Sequence, residues 1–137
     1  MTTIFQLHER LQQDCISIGR LDLCRILMMN DSRYPWFILV PEKAGIREIY
    51  QLSKAERCLL IEESSYLAEN LAALYNADKM NIAAIGNLVP QLHIHHVVRY
   101  RTDSAWPAPV WGKFAAIPYT QQQVAEYSAE VKARLKI

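Results

Sequence analysis

The spacing of apolar residues divides the chain into helix-like and strand-like segments. Near the N-terminus, apolar residues at helical intervals follow the capping-box pattern Thr3–Gln6 and predict a short helix that runs to about Asp14. Two apolar runs, 15–19 and 21–29, meet at Gly19-Arg20. Such a pattern is typical of two strands in a hairpin.

The clearest helical pattern begins at a second capping box, Ser53–Glu56, and predicts a helix to about Asn76 with leucines along one buried face. The remaining predicted elements are strands at 36–40, 81–85 and 91–99 and a final amphipathic helix from Thr120. Strands that precede and follow one long helix, with short connections, indicate an α+β fold with a largely antiparallel sheet. A length of 137 residues predicts a single domain, 1–137.

Composition and charge exclude several classes of protein. Hydrophobic residues make up 51% of the chain and charged residues 21%, as in an ordinary globular protein. The net charge is only +1, so no overall field favours a nucleic acid or an anionic membrane as partner. Apolar runs are too short to cross a bilayer and no secretory signal is evident. Three cysteines without a CxxC pair indicate a reducing, cytoplasmic location.

The candidate chemistry is concentrated in one short segment that holds three of the four histidines. On a strand, Gln91, His93 and His95 would line one face, and His96 would lie on the other. Neutral imidazoles so placed suit nucleophilic attack on phosphorus or metal binding, and a hydrogen-bonded strand end is the third alternative. The chain has no HExxH or CxxC motif to complete a metal site, and its only other histidine is His8.

This segment resembles the signature of the histidine-triad superfamily of nucleotide hydrolases and transferases. The string Pro90–Arg99 matches its alternation of histidines and apolar residues, with two apolar positions at its end. Further similarity lies at the strand Trp36–Pro41, the helix start Leu52–Glu56 and the segment Gly86–Val89, so the resemblance covers about residues 5–100. It implies a five-stranded antiparallel sheet with packed helices, usually in a homodimer whose sheets become continuous.

The resemblance also implies roles for individual residues. His93 takes the position of the nucleophile that becomes nucleotidylated, and His95 the position that contacts phosphate oxygens. Three asparagines match polar positions of the nucleotide site: Asn30 for the ribose hydroxyls, Asn87 for the phosphate, and Asn81 for a further polar contact.

Two departures from the family pattern affect proton transfer. Gln91 replaces the first histidine of the triad, and an amide cannot carry a proton. Trp36 stands where several branches of the family have a histidine that protonates the leaving group. These departures are compatible with slow hydrolysis, with a leaving group that needs no proton, or with binding without turnover.

The sequence thus predicts a cytoplasmic hydrolase of nucleotide phosphoramidates or dinucleoside polyphosphates. His93 attacks the α-phosphate of an adenine or guanine nucleotide, while His95 and Gln91 stabilise it. The covalent step needs no metal, although the family's polyphosphate substrates often arrive with Mg²⁺. The alternatives are a catalytically weak nucleotide-binding or sensing module and, third, a histidine-based metal-binding protein.

Three other features lead to structural expectations. His96 is predicted to pack in the core or at a dimer face. The segment Arg99–Arg101 reads as a solvated strand end, because the net charge is close to zero. The loop Trp106–Trp111, rich in proline, either packs on the sheet or forms a lid or dimer contact near the nucleotide.

Overall fold

The computed structural model describes residues 4–137, which form a sheet with two long helices packed on one face and a short N-terminal helix on the other. The helices are α1 (Glu9–Asp14), α2 (Lys54–Tyr75) and α3 (Gln121–Leu135), and the strands are β1 (Cys15–Arg20), β2 (Cys24–Met29), β3 (Trp36–Pro41), β4 (Lys79–Ala84) and β5 (Ile94–Arg99). A short 3₁₀ turn, Ile49–Gln51, precedes α2.

The five strands form one sheet in the order β1-β2-β3-β5-β4, and every neighbouring pair is antiparallel. The α+β class and the antiparallel sheet predicted from the sequence are therefore confirmed. The chain leaves β3, passes through α2 and returns along the edge strand β4 before it enters β5. This order places β5 between β3 and β4, where every one of its residues is buried.

Local capping signals fix the long helix where the sequence predicts it. The hydroxyl of Ser53 accepts a hydrogen bond from the backbone N–H of Glu56, whose side chain accepts one from the N–H of Ser53. Asn76 ends the helix in a left-handed conformation, with φ of 52°. Because Leu67 and Leu71 of this helix are fully buried, α2 is held by its apolar face rather than by helix propensity alone.

Several predicted boundaries differ from the structure: β2 begins at Cys24 instead of Leu21, and β4 covers Lys79–Ala84 instead of 81–85. The first helix begins at Glu9, where the His8 ring accepts a hydrogen bond from the N–H of Arg10; residues 4–8 are not helical, and Thr3 of the predicted capping box lies outside the described residues. Strand β5 begins at Ile94, so the residues predicted as its first three positions belong to the preceding loop.

Apolar cores lie on both faces of the sheet. The larger one joins α2 and α3 to the sheet. The second, on the opposite face, includes Tyr34, Trp36 and Val97, with the N-terminal segment and Trp111 packed against it. The loop that contains Trp111 thus packs on the sheet, one of the two expectations for it. Within residues 4–137, no helix has the length and apolar composition needed to span a bilayer.

The end of β5 corrects a further expectation. Arg99 is 1% exposed rather than solvated. Its guanidinium donates to both carboxylate oxygens of Asp103, at 2.8 and 3.0 Å, and to the carbonyl of Ala108 at 2.8 Å. A buried charge is stable only when paired and hydrogen-bonded in this way. Arg99 therefore fastens the loop after β5 to the sheet.

Candidate active site

His93 and His95 lie next to each other on the face of the sheet that is opposite α2 and α3. Their ring centroids are 4.9 Å apart in an edge-on arrangement. His95 belongs to β5, whereas His93 precedes the strand by one residue. Both side chains are buried, with 6% and 5% of their surface exposed. The alternation that the sequence predicts therefore extends one residue into the loop.

The backbone fixes the proton position on His93. Its Nδ1 lies 2.7 Å from the carbonyl oxygen of Gln91. Because a carbonyl only accepts, Nδ1 carries the hydrogen and the neutral ring has its lone pair on Nε2. Burial lowers the pKa of His93 below the usual 6.5, against the opposing effect of the Gln91 carbonyl. At neutral pH, His93 is thus an uncharged imidazole with a nucleophilic Nε2.

His95 is held in the opposite tautomer by a tryptophan. The indole N–H of Trp36 donates to Nδ1 of His95 at 3.0 Å. The neutral ring therefore carries its hydrogen on Nε2 and can donate from that atom. Burial, together with the neighbouring His93 and His96, lowers the pKa of His95 to about 3. His95 is consequently a neutral hydrogen-bond donor near pH 7 and is not protonated to the imidazolium form.

Two indoles enclose the ring of His95. The centroids of Trp36 and Trp111 lie 5.6 and 5.4 Å from its own, and the two indoles meet edge-on at 6.0 Å. The indole N–H of Trp111 and the hydroxyl of Tyr34 are buried without a hydrogen-bond partner in the described part of the chain. The aromatic cluster thus keeps water from one side of His95.

A cavity of about 770 Å³ opens beside His93. Gln91, Asn87 and Gly86 from the β4–β5 loop line it together with His93, and the rest of the lining includes residues 47–50, which precede α2, and Arg57 near the start of that helix. A Cβ added to Gly86 would lie 3.1 Å from a backbone carbonyl, so the loop's close approach favours glycine there. The volume is that of a typical small-molecule site.

The side chain of Gln91 is directed differently from the prediction. Its Oε1 accepts from the backbone N–H of His8, and its Nε2 donates to the carbonyl of Gln6, both at 2.8 Å. The amide that was expected beside a phosphate therefore fastens the N-terminal segment to the loop before β5. The backbone carbonyl of Gln91 itself accepts the hydrogen bond from Nδ1 of His93.

Asn30 and Asn81, the other two asparagines predicted for the nucleotide site, are not among the residues that line this cavity. Asn81 pairs with Val97, about 13 Å along β5 from His93, and its side chain accepts from the Arg99 guanidinium at 2.8 Å. The side chain of Asn30 accepts from the N–H of Tyr119 at 2.9 Å, which fixes the segment before α3. Both amides bind partners that are distant in the sequence, and no sequence motif indicates these bonds.

The third histidine of this segment, His96, faces α2 as expected for a packed residue. Its Nε2 is 2.7 Å from the hydroxyl of Ser64, and its Nδ1 is 3.0 Å from the carbonyl of Ile94. Burial lowers its pKa to about 4. Elsewhere in residues 4–137, no three histidine, cysteine, aspartate or glutamate side chains are grouped to hold a metal ion.

Comparisons with known proteins agree with this geometry. The model of the family described as HIT domain matches residues 10–102. A histidine triad protein from Marinobacter aquaeolei VT8 is 51% identical, with a TM-score of 0.96 over 98% of each chain. The histidine triad (HIT) protein SMc02904 from Sinorhizobium meliloti 1021 is 41% identical, with a TM-score of 0.93 over 95% of this chain and 96% of its own.

A histidine triad protein from Bradyrhizobium japonicum is 38% identical, with a TM-score of 0.95 over 97% of this chain and 99% of its own. The comparison with curated proteins gives no match. The matched profile and the three structures agree with the resemblance found in the sequence, and they support a nucleotide-binding or hydrolase-type function. The chain belongs to the HIT domain family of histidine triad proteins.

Proposed function

We propose that the protein hydrolyses dinucleoside polyphosphates or nucleotide phosphoramidates at the α-phosphate, with His93 as nucleophile. The observation that carries the proposal is the bond from His93 Nδ1 to the carbonyl of Gln91. This bond leaves the Nε2 lone pair available on a ring that lines the cavity of about 770 Å³. A fixed, neutral imidazole is what covalent catalysis by histidine requires.

The reaction has two steps. Nε2 of His93 attacks the α-phosphorus, a P–N bond forms, and the bond to the leaving group breaks, so that this group departs with the electron pair. Water then attacks the same phosphorus, the P–N bond breaks, and Nε2 regains its lone pair. The products are a nucleoside monophosphate and the leaving group, between which the two hydrogens of water are shared.

The remaining residues define how the phosphate is stabilised. The Nε2–H of His95 is the donor proposed for a phosphate oxygen, because its other nitrogen is occupied by Trp36. Asn87, an exposed residue of the cavity wall, is proposed to contact the phosphate as well. Gln91 enters the proposal as a positioning residue, since its amide binds the N-terminal segment.

A nucleotide-binding or sensing module is the second candidate. The observation in its favour is the pair His95 and Trp36. An imidazole with a pKa of about 3 and an indole cannot protonate a leaving group at neutral pH. Leaving groups that need a proton, such as amines, would then react slowly or only bind.

The deciding experiment measures AMP release from an adenosine phosphoramidate and a diadenosine polyphosphate, with wild type and His93→Ala side by side. We expect turnover by wild type only, and a rapid acid quench should trap a nucleotidylated protein that intact-mass measurement detects. His8→Ala, which keeps the triad histidines, is the matched control. Retained activity in His93→Ala would exclude the mechanism; saturable AMP binding without turnover by wild type would favour the binding module.

We also propose a homodimer, supported by the exposed edge of β4. Ile82 on that strand is 50% exposed, and Leu88 in the following loop is 78% exposed. An unpaired edge with apolar neighbours favours pairing with a second chain. Light scattering on the purified protein measures its mass, and a monomer would contradict this part of the proposal.

Adding EDTA tests whether turnover proceeds without Mg²⁺, as expected for the covalent step.

A further inference from the structure

We infer that residues 47–50 and Arg57, which line the cavity together with His93, form a subsite for an anionic leaving group, and that this subsite selects dinucleoside polyphosphates over phosphoramidates. The inference rests on the proposed function and names the substrate class for the same site. It starts from two arginines, Arg47 and Arg57, that line the cavity together with His93.

Neither arginine is neutralised by a neighbour. Within residues 4–137, neither forms a salt bridge, whereas Arg20, Arg25 and Arg99 each pair with a carboxylate. Glu48 is the acidic residue in the cavity wall, so the lining has an excess of positive charge. A guanidinium is suited to phosphate because its planar fork can donate two parallel hydrogen bonds.

The two arginines differ in how firmly they are held. Arg57 is partly buried near the start of α2, and its Nη1 donates to the carbonyl of Leu52 at 2.5 Å. This bond holds the guanidinium in place and leaves its other N–H groups for a ligand. Arg47 is exposed, and it is free to adjust to the length of a phosphate chain. Together they offer one fixed and one mobile cation.

The same part of the lining provides a surface for a nucleobase. Tyr50 is 77% exposed, and its neighbour Ile49 is 41% exposed. Both side chains line the cavity that His93 lines, so they are accessible to a ligand bound there. An aromatic ring can stack on a base, which contributes on the order of 1–3 kcal/mol in single-stranded nucleic-acid sites. The leaving group that fits both features is a nucleoside polyphosphate.

Leaving-group chemistry supports the same choice independently. Trp36 and His95 do not supply a proton, so the departing group must be stable as an anion. A polyphosphate meets this requirement because its charge is spread over several oxygens, whereas an amine must be protonated as it leaves. The positive charge in the cavity and the lack of a proton donor at Trp36 and His95 therefore both favour dinucleoside polyphosphates.

The test compares kcat/KM for a diadenosine polyphosphate and an adenosine phosphoramidate. For Arg47→Gln/Arg57→Gln, we expect the value for the polyphosphate to fall roughly tenfold or more and that for the phosphoramidate to fall much less, given two contacts with charged groups. Tyr50→Ala should lower the polyphosphate value roughly fivefold or more. Arg101→Gln, an exposed arginine outside the cavity, is the control.

Each outcome bears on the inference separately from the proposed function. Equal losses on the two substrates, or the same loss in Arg101→Gln, would overturn the subsite. If wild type hydrolyses neither substrate, the proposed function fails, and calorimetry with inorganic tripolyphosphate still decides the subsite. Binding that Arg47→Gln weakens supports it, and absence of binding to wild type refutes it. Arg47 is the variant to rely on if Arg57→Gln does not fold, because its side chain is exposed.

Discussion

His95 and His96 are neighbours in β5 and equally inaccessible to solvent, yet they belong to opposite faces of the sheet. His96 has both ring nitrogens within hydrogen-bond distance of protein atoms, Ser64 Oγ and the carbonyl of Ile94. His95 uses only Nδ1, which accepts from Trp36. Among the described residues, its Nε2 has no partner.

This difference separates a structural histidine from one that is available for chemistry. The Nε2 of His95 is not among the fully buried side-chain atoms that lack a partner, so it keeps access to solvent and can bind a ligand atom. His93 repeats the pattern, with Nδ1 bound to the Gln91 carbonyl and Nε2 without a partner within residues 4–137. All three histidines are buried, so burial does not separate the structural histidine from the other two. The number of ring nitrogens that form hydrogen bonds with the protein does.

The largest effect should come from exchanging the two neighbours for alanine. His96→Ala removes a fully buried ring and leaves the Ser64 hydroxyl unpaired, so we expect the free energy of unfolding to fall by about 3–5 kcal/mol. His95→Ala should lower the free energy of unfolding less than His96→Ala does. It should lower nucleotide turnover at least tenfold relative to wild type. Denaturant unfolding and nucleotide turnover measure the two losses, and equal stability losses would contradict the comparison.

Acidification should reveal the buried neutral histidines next. In the unfolded chain, imidazole takes up a proton near pH 6.5, whereas burial lowers the pKa of His96 in the folded chain to about 4. Between these values the unfolded state binds more protons, so the free energy of unfolding falls as pH falls through this window, by about 3 kcal/mol for this residue.

The measurement is urea unfolding from pH 7 down to pH 4. His96→Gln, which keeps a polar side chain but does not titrate, should show a shallower decrease than wild type. A decrease of the same steepness in both proteins would assign the acid sensitivity to other groups. His95, with a pKa lowered further, to about 3, would be the first of these to examine.

The parts of the fold that the sequence predicted well depend on near neighbours. The α2 boundaries follow from a capping box whose members are three residues apart, and the shared face of His93 and His95 follows from strand alternation. Both signals are local, so a short stretch of sequence contains them. For the same reason, the prediction held even though β5 starts later than expected.

The residues whose positions were not predicted depend on partners far along the chain. The side chain of Gln91 meets Gln6, 85 positions away, and Asn30 meets the N–H of Tyr119, 89 positions away. Arg99 is buried because Asn81, Asp103 and a loop carbonyl surround it. Residue type and spacing show that these groups can form hydrogen bonds, and only the tertiary fold decides with which partner.

A smaller effect is expected from Trp36→Phe, which tests the tautomer of His95. Phenylalanine keeps an aromatic ring next to His95 but removes the N–H that donates to Nδ1. The hydrogen of His95 can then move to either nitrogen, so the Nε2–H donor is present only part of the time. We expect kcat to fall roughly tenfold, which is less than the hundredfold or greater loss typical when such a donor is removed completely. NMR of the imidazole nitrogens reports the tautomer directly, and an unchanged spectrum would contradict the role given to Trp36.

The smallest expected effect distinguishes the two roles considered for Gln91. If its amide positions the N-terminal segment, Gln91→Ala should speed exchange of the His8 amide hydrogen, which loses its acceptor, and lower kcat only about threefold, because the backbone carbonyl still holds His93. If the amide instead binds phosphate, the same substitution should raise KM for every substrate roughly tenfold and leave the exchange of His8 unchanged. The two roles predict opposite pairs of results, so hydrogen exchange and steady-state kinetics on this one variant decide between them. A positioning role would mean that this chain uses the first triad position to attach its N-terminal segment, while the two remaining histidines keep their unbound nitrogens for the phosphate.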